Sequence, residues 1–132
     1  MSGYTIKRYD EVADVLGDYP GEMQMMTADL GNRQVAITHR RMPQHTGGKG
    51  GYGHYHRTQE ELYVVISGRL QFKLGDDVVD VDGGAVVRVA PETVRSVWNE
   101  EAEDGHLLIV STKLPDSAAG EDAVQVDGFW PD

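Results

Sequence analysis

The 132-residue sequence contains no cysteine, which excludes disulfides and thiolate metal sites. Any metal must therefore take nitrogen and oxygen ligands. Basic residues are few: 12 Lys and Arg stand against 22 Asp and Glu, a formal charge of −10. Such a surface repels nucleic acid and anionic membrane, which argues against both as partners. No apolar run approaches the roughly 18 residues of a membrane span. The start Met1-Ser2-Gly3-Tyr4 lacks the basic-then-apolar pattern of a secretory leader. A cytoplasmic protein is expected, and the length suits one domain, 1–132, with a single core.

What the chain has instead is a succession of short apolar segments separated by glycine-bearing turns. Tyr4 to Arg8 reads as a short strand. Asp10 then caps a brief helix to Leu16, with Val12, Val15 and Leu16 on one face and Gly17 ending it. Met23 to Leu30 and Arg33 to Met42 read as two strands joined by a Gly31-Asn32 hairpin turn. Further strands are expected over 61–66, 69–74, 78–81, 85–89, 94–98 and 106–113. The pattern predicts an all-β antiparallel sandwich or barrel with its core at about 23–113. A polar tail covers 114–132, and its Phe129-Trp130 pair is expected to dock on the barrel or on a second subunit. The acidic run from Asn99 to Gly105 is read as a solvated hairpin end, since its spacing lacks a calcium-loop pattern.

Chemistry concentrates between residues 47 and 68. Five of the seven residues from 47 to 53 are glycine, so a pliable, exposed loop is expected to lead into a strand. On that strand His54 and His56 stand two apart and project to the same face. Glu61 follows at the head of the apolar run Leu62-Tyr63-Val64-Val65-Ile66. Two imidazoles and a carboxylate suit a divalent first-row metal ion, and Fe, Mn, Zn and Ni are not distinguished. Tyr63 shares the face of Glu61 and would supply a phenolic proton or line the pocket. Upstream, Val35, Ile37, His39 and Arg41 alternate on one face. If the apolar pair turns that face inward, His39 lies near a cavity as a ligand-binding or structural histidine.

The stretch resembles the first motif of the cupin family, G-x5-H-x-H-x3-4-E-x6-G. Gly48, His54, His56, Glu61 and Gly68 meet each fixed position. The resemblance implies a jelly-roll barrel, or double-stranded β-helix, with a short helical segment before it. It also implies His54, His56 and Glu61 as metal ligands, and a homodimer.

The second cupin motif, G-x5-P-x-G-x2-H-x3-N, is only partly present. Gly84 and Asn99 fit its ends, but Ala90, Glu92 and Arg95 replace the proline, glycine and histidine. That histidine is ordinarily the fourth metal ligand, and a guanidinium cannot coordinate a cation. Three arrangements compete. Three ligands hold a metal while Arg95 reaches an anionic substrate; or there is no metal and Arg95 pairs with Glu61; or Arg95 turns to solvent. By resemblance, the function is that of a small-molecule-binding cupin acting as a metal-dependent dioxygenase, isomerase or lyase on a small anionic metabolite. The rival reading is a non-catalytic, metal-free ligand-binding or regulatory module.

Overall fold

The computed structural model describes residues 3–132. Two antiparallel sheets face each other across one apolar core. The first orders its strands β1 (Glu22–Met25), β2 (Val35–Met42), β10 (Gly105–Thr112), β5 (Glu61–Ser67) and β8 (Val86–Val89). The second orders β11 (Ala123–Trp130), β4 (Gly51–His56), β9 (Arg95–Asn99), β6 (Arg69–Leu74) and β7 (Asp77–Asp82), with the short β3 (Thr46–Gly47) also on β9. Alternation does the sorting. Tyr63 and Val65 on β5, Leu70 and Phe72 on β6, and Leu107 on β10 point between the sheets with Met42, Val89 and Val97. Each such side chain contributes roughly 1.5–3 kcal/mol on leaving water. This is the expected jelly roll.

The N-terminal segment differs from expectation. Tyr4 to Arg8 forms no strand, and the helix expected from Asp10 to Leu16 shrinks to one 3-10 turn, Tyr9–Glu11. The cause is Asp14, whose carboxylate accepts the N–H groups of Leu16 and Met23 at 3.0 Å each. A side chain that takes those donors offers the backbone an alternative to a helix. The segment instead lines the barrel cavity with Val15, Leu16 and Tyr19, and the Tyr19 hydroxyl accepts the Gly47 N–H at 2.9 Å.

Met23 to Leu30 is likewise not one strand. β1 ends at Met25, and Thr27–Leu30 makes a single helical turn, α1. Gly31, at φ 75°, caps that turn in the left-handed conformation rather than forming a hairpin. The glycine-rich lead-in is less of a loop than expected, because β3 and β4 take up most of it. Close packing explains the composition: a Cβ on Gly53 would lie 2.5 Å from the Phe129 ring and 2.7 Å from the Arg95 carbonyl oxygen.

The tail holds the largest surprise. After the short helix α2 (Asp116–Asp122) it becomes β11, which pairs with β4 from Ala123↔His56 to Trp130↔Gly51. Trp130 is buried, and Lys73 sits 3.9 Å above the Phe129 ring. The aromatics dock on the barrel of their own chain. Of the acidic run, residues 100–104 form an exposed turn between buried Asn99 and Gly105, with Arg41 donating to Asp104 at 3.0 Å.

Candidate metal and ligand site

β4 delivers His54 and His56 into the space between the sheets, and β5 delivers Glu61 from the opposite sheet. The carboxylate is the hub. Its Oε1 lies 3.6 Å from His54 Nε2, 3.3 Å from His56 Nε2 and 3.5 Å from Arg95 Nε. It also accepts the Tyr63 hydroxyl at 2.8 Å. One ligand atom from each of His54, His56 and Glu61 falls within 4.8 Å of the others. His56, Glu61 and Tyr63 are buried, whereas the His54 side chain is about a third exposed and faces the cavity. Burial alone would raise the Glu61 pKa, but the adjacent His54 and His56 rings and the Tyr63 hydroxyl outweigh it and hold the group ionised. Burial and the adjacent Glu61 charge push the Tyr63 phenol well above its ordinary range.

Asp122, at the end of α2, was not singled out from the sequence. It lies 66 residues from His56, in a tail read as polar, and nothing local marks it. Its carboxylate accepts the Thr58 hydroxyl at 2.6 Å, the Thr58 N–H at 2.9 Å and the Gln59 N–H at 3.0 Å. Burial opposes its ionisation, yet these donors and His56 bring its pKa down. An ionised carboxylate only accepts, so the His56 Nδ1 at 3.0 Å carries the hydrogen. In the neutral ring the Nε2 lone pair then faces Glu61. That atom is sealed from solvent and has no hydrogen-bond partner among the described residues. A carboxylate at Nδ1 fixes the tautomer and orientation of an imidazole and leaves its other nitrogen able to ligate a metal ion. The donor set fits a first-row divalent ion.

Arg95 occupies the place of the missing imidazole and is fully buried, so the solvent-facing arrangement does not occur. Its guanidinium donates to the carbonyls of Ala90, Pro91 and Thr93 at 3.4, 3.1 and 2.9 Å. Its Nε faces Glu61. Most of its donors are thus turned to the protein rather than to the cavity.

His39 is not brought to this site. The inward side chains of β2 are Arg40 and Met42, and the face of Val35, Ile37, His39 and Arg41 is the outer one. There His39 stacks on Tyr9 with centroids 3.7 Å apart, pairs with Gln24 at 2.8 Å and lies 3.4 Å from His106. It lines a separate surface cleft with Lys7, Arg8, Asp10 and Glu22. Val35 is exposed, and its apolar character gave the wrong polarity to the strand. The cavity beside this cluster, about 560 Å³, is lined by His54, Tyr63, Arg95, Arg40, Tyr19, Tyr52 and mostly apolar side chains.

A family model described as a cupin domain matches residues 41–111, more than half of the chain. No curated protein matches. Many solved structures share the fold. A cupin protein from Bacteroides fragilis is 16% identical, with a TM-score of 0.66 over 88% of this chain and 89% of that one. A sugar phosphate isomerase of the cupin superfamily from Silicibacter pomeroyi is 18% identical, with a TM-score of 0.71 over 84% and 77%. A predicted oxalate decarboxylase from Thermotoga maritima is 19% identical, with a TM-score of 0.67 over 83% and 100%. At such identities the likeness concerns the fold.

Proposed function

The chain belongs to the cupin domain family, and from that premise we propose that it binds a small molecule in the barrel beside a divalent metal ion held by His54, His56 and Glu61. The observation that carries this reading is the His56 ring. Asp122 fixes its Nδ1, and its buried Nε2 meets the Glu61 carboxylate oxygen at 3.3 Å. A bound ion would supply Lewis acidity or an oxygen-binding centre. The residues' own work is positional. Asp122 orients His56, Tyr63 holds Glu61 through its hydroxyl, and His54 presents its ring to the cavity. Because Tyr63 donates to Glu61, any phenolic proton it delivers must first leave that bond. The same fold carries a protein described as a sugar phosphate isomerase and one described as a predicted oxalate decarboxylase. On that analogy, with the family resemblance, the proposed chemistry is of the isomerase, lyase or dioxygenase type on a small metabolite. Elemental analysis of protein purified without chelator tests the reading: about one equivalent of a first-row metal per chain is expected, and none would refute it.

The second reading, a metal-free binding module, is favoured by one specific feature. Arg95 places a fixed positive charge 3.5 Å from Glu61 Oε1 and can hold the carboxylate ionised without an ion. In that state His56, whose pKa is pulled down by burial but raised further by Glu61 and Asp122, carries its proton between two carboxylates.

We further propose a cytoplasmic homodimer in which residues 1–132 act as one domain. Strands β1 and β8 end the first sheet, and exposed Met25 and Val86 lie on them. Unpaired strand edges of that kind invite a second copy. No helix among the described residues is long and apolar enough to cross a membrane. A monomeric mass in light scattering at micromolar concentration would refute the dimer.

A further inference from the structure

Arg40 is the cation of the barrel that the metal site does not use. Alternation on β2 turns it inward, in one transverse row with Met23 of β1 and Leu107 of β10. Its Nε is sealed from solvent and has no hydrogen-bond partner among the described residues. Burial lowers its pKa, and the groups that oppose this are the phenols of Tyr19, Tyr52 and Tyr63 rather than any carboxylate. Arg40 is half-buried, with its Nε shut off from water and no carboxylate facing it among the described residues, and a charge so placed is stabilised where an anionic ligand completes it. Arg95 lines the same cavity and its Nε is likewise without a hydrogen-bond partner. That Nε, however, lies 3.5 Å from the Glu61 carboxylate and its terminal nitrogens donate to three backbone carbonyls, whereas Arg40 has neither among the described residues.

Most of the remaining cavity wall is apolar: Val15 and Leu16 from the N-terminal segment, Met23, Val97, Leu107 and Ile109, with Ser96 and the tyrosines among them. Leu107 pairs with both Arg40 and Val65, and Glu61 lies four residues beyond Val65. Arg40 and Glu61 are thus two strands and four residues apart, roughly 16 Å between backbones at about 4.8 Å per strand and 3.4 Å per residue. Arg40 lines the cavity, and so does His54, whose Nε2 lies 3.6 Å from Glu61 Oε1.

We infer that Arg40 is the anion-binding residue of this cavity, and that its ligand is an acid with a single carboxylate at one end and an apolar body. A planar guanidinium meets a carboxylate with two parallel hydrogen bonds, and one unpaired cation balances one negative charge. A phosphate dianion would leave a charge uncompensated among apolar walls. This assignment rests on the small-molecule-binding reading and narrows its ligand; it moves the anion contact from Arg95 to Arg40.

Benzoate, phenylacetate and hexanoate, each beside its primary amide, are titrated calorimetrically into chelator-stripped protein. At least one acid binds wild type 10-fold or more tightly than its amide, and Arg40→Met brings that ratio close to one, with Arg40→Lys between. Without ligand, Arg40→Met melts above wild type, because it removes a half-buried unpaired charge, and the bound acid raises the melting temperature of wild type only. The inference is overturned if no acid binds, if acids and amides bind wild type alike, or if Arg40→Met keeps the preference or melts below wild type. Zinc titration of the same proteins separates the two readings. Loss of acid selectivity with zinc binding retained isolates Arg40, and absence of zinc binding refutes the metal site while the stripped-protein result stands.

Discussion

The Nε of Arg95 lies 3.5 Å from Glu61 Oε1, so a guanidinium stands beside the carboxylate of the candidate metal site where the family pattern has an imidazole. Two unit charges about 4 Å apart interact by about 4 kcal/mol at an effective dielectric near 20. The same residue therefore stabilises the ionised Glu61 and opposes a cation bound to it.

Arg95→His should raise divalent-metal affinity at least 10-fold by removing that repulsion and restoring a ligand nitrogen. It should also destabilise the metal-free protein by about 2–4 kcal/mol, since the carbonyls that Arg95 satisfies lose their donors. Added metal should recover part of that loss. Zinc titrations and melting curves of both proteins, each stripped with chelator, check this. Equal metal affinity would show that Arg95 does not act on the site.

Asp122→Asn should weaken metal binding by about 10- to 100-fold while leaving the ligand atoms in place, because an amide can turn either face to His56 and no longer fixes its tautomer. Unchanged affinity would contradict the orienting role. Asp122→Ala should also lower stability through the Thr58 and Gln59 donors it leaves unpaired.

His39 predicts a pH dependence on the outer face. It is 3% exposed, and burial lowers its pKa from the ordinary 6.5, helped by His106 and Arg41 and opposed by Glu22; Lys7, Arg8 and Asp10 also line its cleft. With the folded value depressed, the stability is complete above pH 6.5. It falls as the pH drops through 6.5, because the unfolded chain takes the proton first. His56, with a raised pKa, contributes in the opposite direction, so the comparison must be with His39→Gln. The variant should lose less stability than wild type between pH 7 and pH 5. Parallel denaturation curves over that range would contradict the account.

The barrel was legible because its strands carry apolar alternation and its turns carry glycine; Gly68, at φ 83° and with its Cβ position against the Asp104 carbonyl, could hardly be another residue. The convergence of His54, His56 and Glu61 was legible from local spacing, since the two histidines share one strand and Glu61 opens the next. Asn99 kept its place in the second motif for a structural reason: its side chain donates to the Met42 and Glu103 carbonyls at 2.8 Å and accepts the Glu101 N–H. Other features depend on contacts that sequence order hides. Asp122 reaches His56 only because the tail adds β11 to β4, and the alternating Val124 and Val126 were the one sign of that strand. His39 and Arg40 exchanged faces relative to expectation, since an exposed Val35 resembles a buried one in a linear pattern.

The central claim is that His54, His56 and Glu61 together hold one ion. Calorimetric titration of zinc and of manganese into chelator-stripped wild type, His56→Ala and Glu61→Gln tests it most directly. One ion per chain in wild type, with binding at least 100-fold weaker in both variants, is the predicted result. No binding in wild type, or the same affinity in all three proteins, would contradict it.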